Sequence, residues 1–130
     1  MKFEVEIREY PLASPFRITG HVFNGSRVIE VTLTDDDGVV GRGESSGAYC
    51  LAESAESMAA ELTSVAEQIK GVQSREVLRG LMKPCGARNA VDNALWDLEA
   101  KRSGNTVWHL ADIKARPLTT VFTIGIADTA

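Results

Sequence analysis

Three consecutive carboxylates, Asp35, Asp36 and Asp37, form the first group in this sequence whose chemistry could be functional, because clustered acidic oxygens can bind a metal ion. The same residues lie between two strand-like runs and directly before Gly38. Acidic residues followed by a glycine are typical of a solvated turn between strands. We therefore interpret the cluster as a turn and predict no metal site in it.

Two glycines that flank Arg42, Gly41 and Gly43, match the start of a dinucleotide-binding loop. The next glycine is Gly47, so the spacing G-x-G-x-x-G is not completed. No strand–helix–strand unit surrounds the run either, although that fold requires one. The sequence therefore gives no support for a dinucleotide site.

The histidines and cysteines are isolated from one another. His21 and His109 each lack a second ligand at helical or hairpin spacing. Cys50 precedes a predicted helix, whose N-terminus could activate a thiol, but a small loop residue is the better interpretation. Cys50 and Cys85 match no metal-binding spacing. Unpaired cysteines of this kind favour a reduced, cytoplasmic protein.

Composition limits the classes of protein to which the chain can belong. Its 130 residues suffice for one modest domain, and its net charge of −4 comes from interspersed acids and bases. No basic cluster with interleaved aromatic residues predicts a nucleic-acid partner. No apolar run approaches the roughly 20 residues that a membrane helix needs. The N-terminus alternates charged and apolar residues and so carries no signal-peptide pattern.

The first third of the chain is predicted to form an antiparallel meander of three or four strands. Alternating apolar residues predict strands over residues 2–9, 27–34 and 39–44, and residues 16–23 are also extended. Residues 10–15 are predicted to be a connection, and Gly20 a bulge. Asn24-Gly25 is a strong signal for the hairpin turn between two of the strands.

Helices are predicted to follow the strands. Residues 53–70 carry a continuous apolar stripe and predict one long helix, and Ser74 could cap a short second helix. The next helix buries a stripe of Ala87, Val91, Ala94, Leu95 and Leu98 and ends at Gly104. Thr106 could cap a further short helix. Strands followed by helices indicate an α+β domain with its helices on one face of the sheet.

Residues 118–126 differ from the strands before them, since they read LTTVFTIGI without alternation. Such apolar and β-branched runs are typical of strands that are buried on both faces of a parallel sheet. A parallel strand needs a neighbour that is reached through a crossover connection. The segment is therefore expected to be the first strand of a second unit.

The predicted helix that ends at Gly104 also carries the most specific motif of the chain. Residues 94–101 read ALWDLEAK, Gly104 and Leu110 follow at fixed distances, and ARNAVD precedes over residues 87–92. This run resembles the segment that closes the N-terminal capping domain of the enolase superfamily. The resemblance is to the mandelate racemase and muconate lactonizing enzyme branch, and ARNAVD is most similar to its dipeptide epimerases.

The resemblance implies a capping domain over residues 1–115 and, over residues 116–130, the first strand of a (β/α)₈ barrel that is otherwise missing. Family members abstract a proton next to a carboxylate with the help of Mg²⁺. Their K-x-K motif, three acidic Mg²⁺ ligands and further lysine base lie on later barrel strands. None of these can be placed here, so we expect no catalytic or metal residue and no turnover from this chain alone.

The resemblance also implies that two segments of the capping domain close over the substrate, here residues 14–19 and 45–51. Phe16 and Arg17 match a Pro-Phe-Arg segment of many dipeptide epimerases, and Arg17 could meet an acidic side chain or a carboxylate. Tyr49 could form a pocket wall, and Thr123 could line the pocket from the first barrel strand. Phe16 could equally be a core residue, and Arg17 could be a solvated strand residue. Thr123 could equally be a β-branched residue that packs in a barrel strand.

Two functions therefore remain open at the level of sequence. The first is the specificity domain of a Mg²⁺-dependent racemase, epimerase or cycloisomerase, most similar to a dipeptide epimerase, with a small carboxylate or dipeptide as substrate. The alternative is a stand-alone binding or oligomerisation module without catalysis. In that module residues 118–126 would pair with a second copy, because an uncovered strand tends to associate.

Overall fold

The computed structural model describes residues 1–48, 51–124 and 126. Its single sheet has the antiparallel order β1 (Lys2–Ile18), β2 (His21–Thr34) and β3 (Val40–Ser45). The helices that follow are α1 (Ala55–Ser64), α2 (Ala66–Lys70), α3 (Arg75–Leu81), α4 (Gly86–Ser103) and α5 (Val107–Leu110). The predicted α+β class, a meander of strands followed by helices, is confirmed.

The first hairpin turns at a different place from the one predicted. Its turn lies at Thr19 and Gly20, where Gly20 has a φ of +76°, and not at Asn24-Gly25. The register is set further down the ladder, where Phe3 lies opposite the buried Leu33. Because this register must keep apolar side chains on the core face, pairing continues beyond Asn24-Gly25 to the tip of the hairpin.

The ladder between β1 and β2 is interrupted by a bulge. Pairing shifts between Pro11 and Phe16, so that residues 12–15 of β1 lie opposite only Asn24 of β2. Pro11 and Pro15 have no N–H group and cannot donate ladder hydrogen bonds. The connection that the sequence predicts over residues 10–15 is therefore a multi-residue bulge inside one long strand.

The helix predicted over residues 53–70 is two helices that meet at Val65. Val65 departs from helical geometry, with φ −114° and ψ +14°. The hydroxyls of Thr63 and Ser64 donate to carbonyl oxygens of the preceding turn at 2.8 and 2.7 Å. Such hydroxyl bonds compete with the helical ladder and bend helices. The apolar stripe is still buried at Met58, Leu62 and Ile69, as the sequence predicts.

The predicted helix boundaries after α2 are confirmed. Ser74 Oγ accepts from the N–H of Val77 at 3.3 Å and Thr106 Oγ1 from that of His109 at 3.3 Å. Gly104 ends α4 with a left-handed φ of +66°. In the described part of the chain, no helix is long and apolar enough to cross a membrane.

The core lies between the sheet and α4. All five residues of the predicted stripe are buried, together with Ala90: Ala87, Val91, Ala94, Leu95 and Leu98. Gly41 and Gly43 of β3 touch the helix backbone, since a Cβ on Gly43 would lie 2.0 Å from the carbonyl oxygen of Ala90. The paired glycines therefore serve close packing of strand against helix.

The strand expected over residues 118–126 is not formed by the described part of that segment. Residues 118–124 have no regular secondary structure, and the side chains of Leu118, Val121, Phe122 and Ile124 are exposed. A strand of this composition is stable only between neighbours that cover both of its faces. The described residues supply no such neighbours, although the N–H of Ile126 donates to the carbonyl oxygen of Arg17 at 2.9 Å.

Candidate functional site

A groove of about 660 Å³ lies between the bulge of β1 and the loop that follows β3. Residues 12–16 form one wall of the groove. Phe23 and residues 25–27 line the groove from β2, and residues 46–47 and Glu53 line its other side. This volume falls in the range of small-molecule sites, about 300–1,000 Å³. The groove brings together parts of both segments that the family resemblance assigns to substrate closure.

Apolar side chains dominate one end of the groove. The rings of Phe16 and Phe23 lie opposite each other in the ladder, with centroids 6.2 Å apart and an interplanar angle of 33°. Leu12 also lines the groove, from the bulge. The bulge contributes to this wall, because its extra residues, 12–15, all line the groove.

Glu53 holds the far side of the groove in place. One of its carboxylate oxygens, Oε2, accepts from the N–H of Ala48 at 3.0 Å, and Oε1 accepts from that of Gly86 at 2.9 Å. Gly86 is the first residue of α4, so one side chain joins the loop after β3 to a helix N-terminus, where a negative charge is favourable. Sequence reasoning missed Glu53, because no local pattern links it to a residue 33 positions away.

Two glycines allow the loop to approach α4. Gly47 has a φ of +69°, a conformation that favours glycine. A Cβ on Gly86 would lie 2.5 Å from Sδ of Met58 and 3.2 Å from Cα of Gly47. The loop, α1 and α4 thus meet without space for larger residues.

The positive charge in the groove is already neutralised by neighbours. Arg27 lines the groove, and its guanidinium lies 2.5 Å from a carboxylate oxygen of Glu56 and 3.7 Å from one of Glu9. Backbone hydrogen bonding at the start of α1 lowers the pKa of Glu56, and Arg27 adds to this effect. Glu56 therefore stays ionised at neutral pH, and its negative charge lies directly beside the guanidinium of Arg27.

The residues nominated from the sequence fall in different places. Phe16 is half-buried and lines the groove. Arg17 follows it on β1 and is exposed, outside the groove lining, with its carbonyl oxygen bonded to the N–H of Ile126. Thr123 lies in the exposed segment after α5. Tyr49 lies outside the described residues.

The acidic turn has a structural role. Asp35 is buried, contrary to the prediction of a solvated cluster, whereas Asp36 and Asp37 are exposed. Its carboxylate accepts from Nε of Arg102 at 2.6 Å and from the N–H groups of Asp37 and Val39 at 3.0 and 2.8 Å. The Arg102 bond is the main cause of a lowered pKa for Asp35. The described residues contain no set of three His, Cys, Asp or Glu that could hold a metal ion.

A three-stranded antiparallel meander covered on one face by helices, with a groove at its bulged hairpin, defines an α+β domain of the enolase capping type. The chain belongs to the family described as mandelate racemase / muconate lactonizing enzyme, N-terminal domain, whose model matches residues 2–111. The resemblance inferred from the ALWDLEAK helix is therefore confirmed.

Known relatives place the chain close to dipeptide epimerases. It is 36% identical over 104 residues to the L-Ala-D/L-Glu epimerase of Escherichia coli K12. This match covers 80% of this chain and 32% of that protein. An enolase family member from Agrobacterium tumefaciens with homology to dipeptide epimerases, solved with sodium and L-Ala-L-Glu bound, is 34% identical with a TM-score of 0.87. The match covers 97% of this chain and 39% of that protein.

A third relative is a Roseovarius nubinhibens protein of the mandelate racemase/muconate lactonizing enzyme type, solved with magnesium. It is 25% identical with a TM-score of 0.82, over 96% of this chain and 37% of that protein. The chain thus spans only 32% to 39% of the length of these relatives.

Proposed function

We propose that this chain is the substrate-capping domain of a Mg²⁺-dependent enzyme that abstracts a proton next to a carboxylate, and that the enzyme is a dipeptide epimerase. The observation that carries the proposal is the groove, which is built from both segments that cover the substrate in the resembled family. The names of the E. coli and A. tumefaciens relatives support the same reaction and substrate class. The cytoplasmic location stays a prediction.

The metal belongs to the proposal for the whole enzyme. In this reaction class Mg²⁺ stabilises the charge that develops on the carboxylate when the proton leaves. The acidic cluster does not fit that role, because Asp35 is bonded to Arg102 and to two backbone N–H groups. We therefore propose that this chain encloses the substrate and that the barrel of the enzyme supplies the metal ligands and the bases.

Within the proposal, residues 1–115 form the capping domain and residues 116–130 begin the barrel. Phe16 forms an apolar wall, and Arg17 is a cation for a carboxylate of the dipeptide. Tyr49 and Thr123 complete the substrate contacts, from the second segment and from the first barrel strand. The groove geometry supports the role of Phe16, and the roles of the other three rest on the family resemblance.

A chimaera tests the proposal directly. Residues 1–115 would replace the matching N-terminal third of the E. coli L-Ala-D/L-Glu epimerase, and Cα exchange of L-Ala-L-Glu and of a panel of other dipeptides would be followed in deuterated water with Mg²⁺. We expect exchange of at least one dipeptide by the chimaera, because the capping groove would close over the barrel. Circular dichroism would establish that the chimaera is folded.

The chain by itself serves as the control. We expect no Cα exchange from the purified 130-residue chain under the same conditions. Exchange by the chain alone would overturn the assignment of enclosure without catalysis. A folded chimaera that is inactive on every dipeptide would overturn the epimerase proposal.

A further inference from the structure

The described residues that line the groove beside the bulge are largely apolar. Leu12, Phe16 and Phe23 contribute side chains, and the two rings are 6.2 Å apart. Ala13 and Pro15 extend the same wall through the bulge. Apolar surface of this kind favours a ligand group that gains by leaving water.

Arg27 and Glu53, the charged residues among the described residues that line the groove, are both already paired. Arg27 bonds to Glu56 at 2.5 Å, and Glu53 accepts two backbone N–H bonds. An anionic ligand group would lie close to the Glu53 carboxylate and would have to compete with Glu56 for Arg27. A second carboxylate beside Glu53 would be repelled by its charge, and this repulsion favours an uncharged ligand group in the groove.

The geometry points to an apolar side chain of a dipeptide substrate as the group that this groove takes, and to Phe23 as a residue that determines this specificity. The inference rests on the proposed function, because it names the substrate subclass of the same site. Phe23 is well placed for the role, since it lines the groove from the central strand β2 and faces Phe16 across the ladder. Phe23 was absent from the residues nominated by sequence.

A binding titration on the 130-residue chain tests this without any turnover. N-acetyl-L-leucine amide and N-acetyl-L-glutamate amide would be titrated at neutral pH into ¹⁵N-labelled protein, and amide shifts of Phe16, Gly25 and Gly47 would be followed. We expect saturable shifts from the leucine amide, with a Kd about tenfold lower than that of the glutamate amide, because only its side chain is apolar.

Two variants make the assignment specific to Phe23. Phe23→Ala is expected to weaken leucine amide binding about threefold to tenfold, because it removes part of the apolar wall. Val22→Ala is the matched control, since Val22 is the adjacent exposed apolar residue and points to the other face of β2. It is expected to leave the Kd unchanged.

Several outcomes would overturn the inference. These are a lower Kd for the glutamate amide, an unchanged Kd in a folded Phe23→Ala protein, or no saturable shift with either compound. Concentration-dependent shifts of the groove residues without ligand would show that a second copy of the chain occupies the groove instead. Because none of these readouts requires epimerisation, they fail independently of the chimaera experiment.

Discussion

At the scale of single residues, Asp35 ties the turn between β2 and β3 to the end of α4. Its side chain is only 2% exposed, yet it is charged and bonded to Arg102, which is half exposed. A buried carboxylate is stable in the fold only when charged and hydrogen-bonded partners replace its water. The partners come from the turn itself and from a residue 67 positions away.

The Asp35 network predicts a pH dependence of stability. The folded-state pKa of Asp35 is lowered from its usual value of 3.8, so the ionised group stabilises the fold above that value. This contribution is lost as the pH falls through the folded pKa. We expect the free energy of unfolding to fall between about pH 5 and pH 2, and to fall less steeply in Asp35→Asn. Denaturant unfolding over this pH range measures both slopes.

Asp37→Asn is the matched control for Asp35→Asn. Asp37 lies in the same turn and is exposed, and only its backbone N–H takes part in the network. Asp37→Asn should leave the pH slope of the unfolding free energy unchanged, because the bonds of Asp35 to Arg102 and Val39 stay in place. Other carboxylates with lowered pKa values, such as Glu30 and Asp97, are present in every variant and contribute to every slope. Identical slopes in the wild type and Asp35→Asn would refute the assigned role.

At the scale of elements, the contact between β3 and α4 organises the fold. Lys101 bonds the carbonyl oxygen of Val40 at 2.9 Å, and Asp97 accepts the N–H of Arg42 at 2.8 Å. The Asp97–Lys101 pair that the helical spacing predicts is also present, at 2.6 Å. Backbone contact at Gly43 brings the helix close enough for these bonds.

Gly43→Ala tests this close approach. The added Cβ would lie 2.0 Å from the carbonyl oxygen of Ala90 and 2.5 Å from the nitrogen of Ala94, and backbone atoms cannot move aside cheaply. We expect a loss of about 3 kcal/mol in the free energy of unfolding, at the upper end of ordinary overpacking costs. Chemical denaturation measures the loss.

Gly80→Ala provides the comparison, because Gly80 lies in α3 and a Cβ there meets nothing within 4 Å. We expect it to be neutral or to stabilise by up to about 1 kcal/mol, since alanine is the better helix former. Equal unfolding midpoints for the Gly43→Ala and Gly80→Ala proteins would show that β3 and α4 are not in close contact.

At the scale of the whole molecule, burial stops well before the last described residue. The core cluster ends at Leu98, whereas Leu118, Val121, Phe122 and Ile124 are each at least 80% exposed. Contiguous exposed apolar side chains of this kind mark surfaces that another unit covers. In the proposed enzyme that unit is the barrel, and in the alternative module it is a second copy of the chain.

Removal of residues 116–130 tests both the domain boundary and the alternative. We expect residues 1–115 to unfold cooperatively with a free energy within about 0.5 kcal/mol of the full chain, because the removed side chains are outside the core. We also expect association of the full chain at high concentration, driven by the exposed side chains, and less association after truncation. Sedimentation velocity measures the association.

Phe122→Lys in the full chain is the matched variant, because it adds charge to the same segment without shortening it. It should reduce association as the truncation does. Loss of cooperative unfolding in residues 1–115 would show that the boundary is misplaced. If the full chain forms a stable, discrete oligomer and Phe122→Lys dissociates it, the oligomerisation module would be favoured over the enzyme domain.

Local signals were sufficient to predict most of the elements. The Ser74 and Thr106 caps, the Gly104 stop and the buried stripe of α4 are confirmed, because each depends on residues within a few positions of one another. The break at Val65 was missed, because the hydroxyls of Thr63 and Ser64 bend the helix without changing its apolar pattern.

The sequence by itself determined the class of domain, its order of strands and helices, and its family, since periodicity, caps and the ALWDLEAK motif are local properties of the chain. Only the tertiary structure decided where the first hairpin turns and how the groove is built. The ladder register follows from apolar pairs such as Phe3 and Leu33, which lie 30 positions apart, and it moves the turn to Gly20. The same register leaves the bulge beside Phe23, and on the other side the carboxylate of Glu53 accepts a long-range hydrogen bond from the N–H of Gly86. Contacts between distant residues carry no local pattern, so they could be read only from the folded chain.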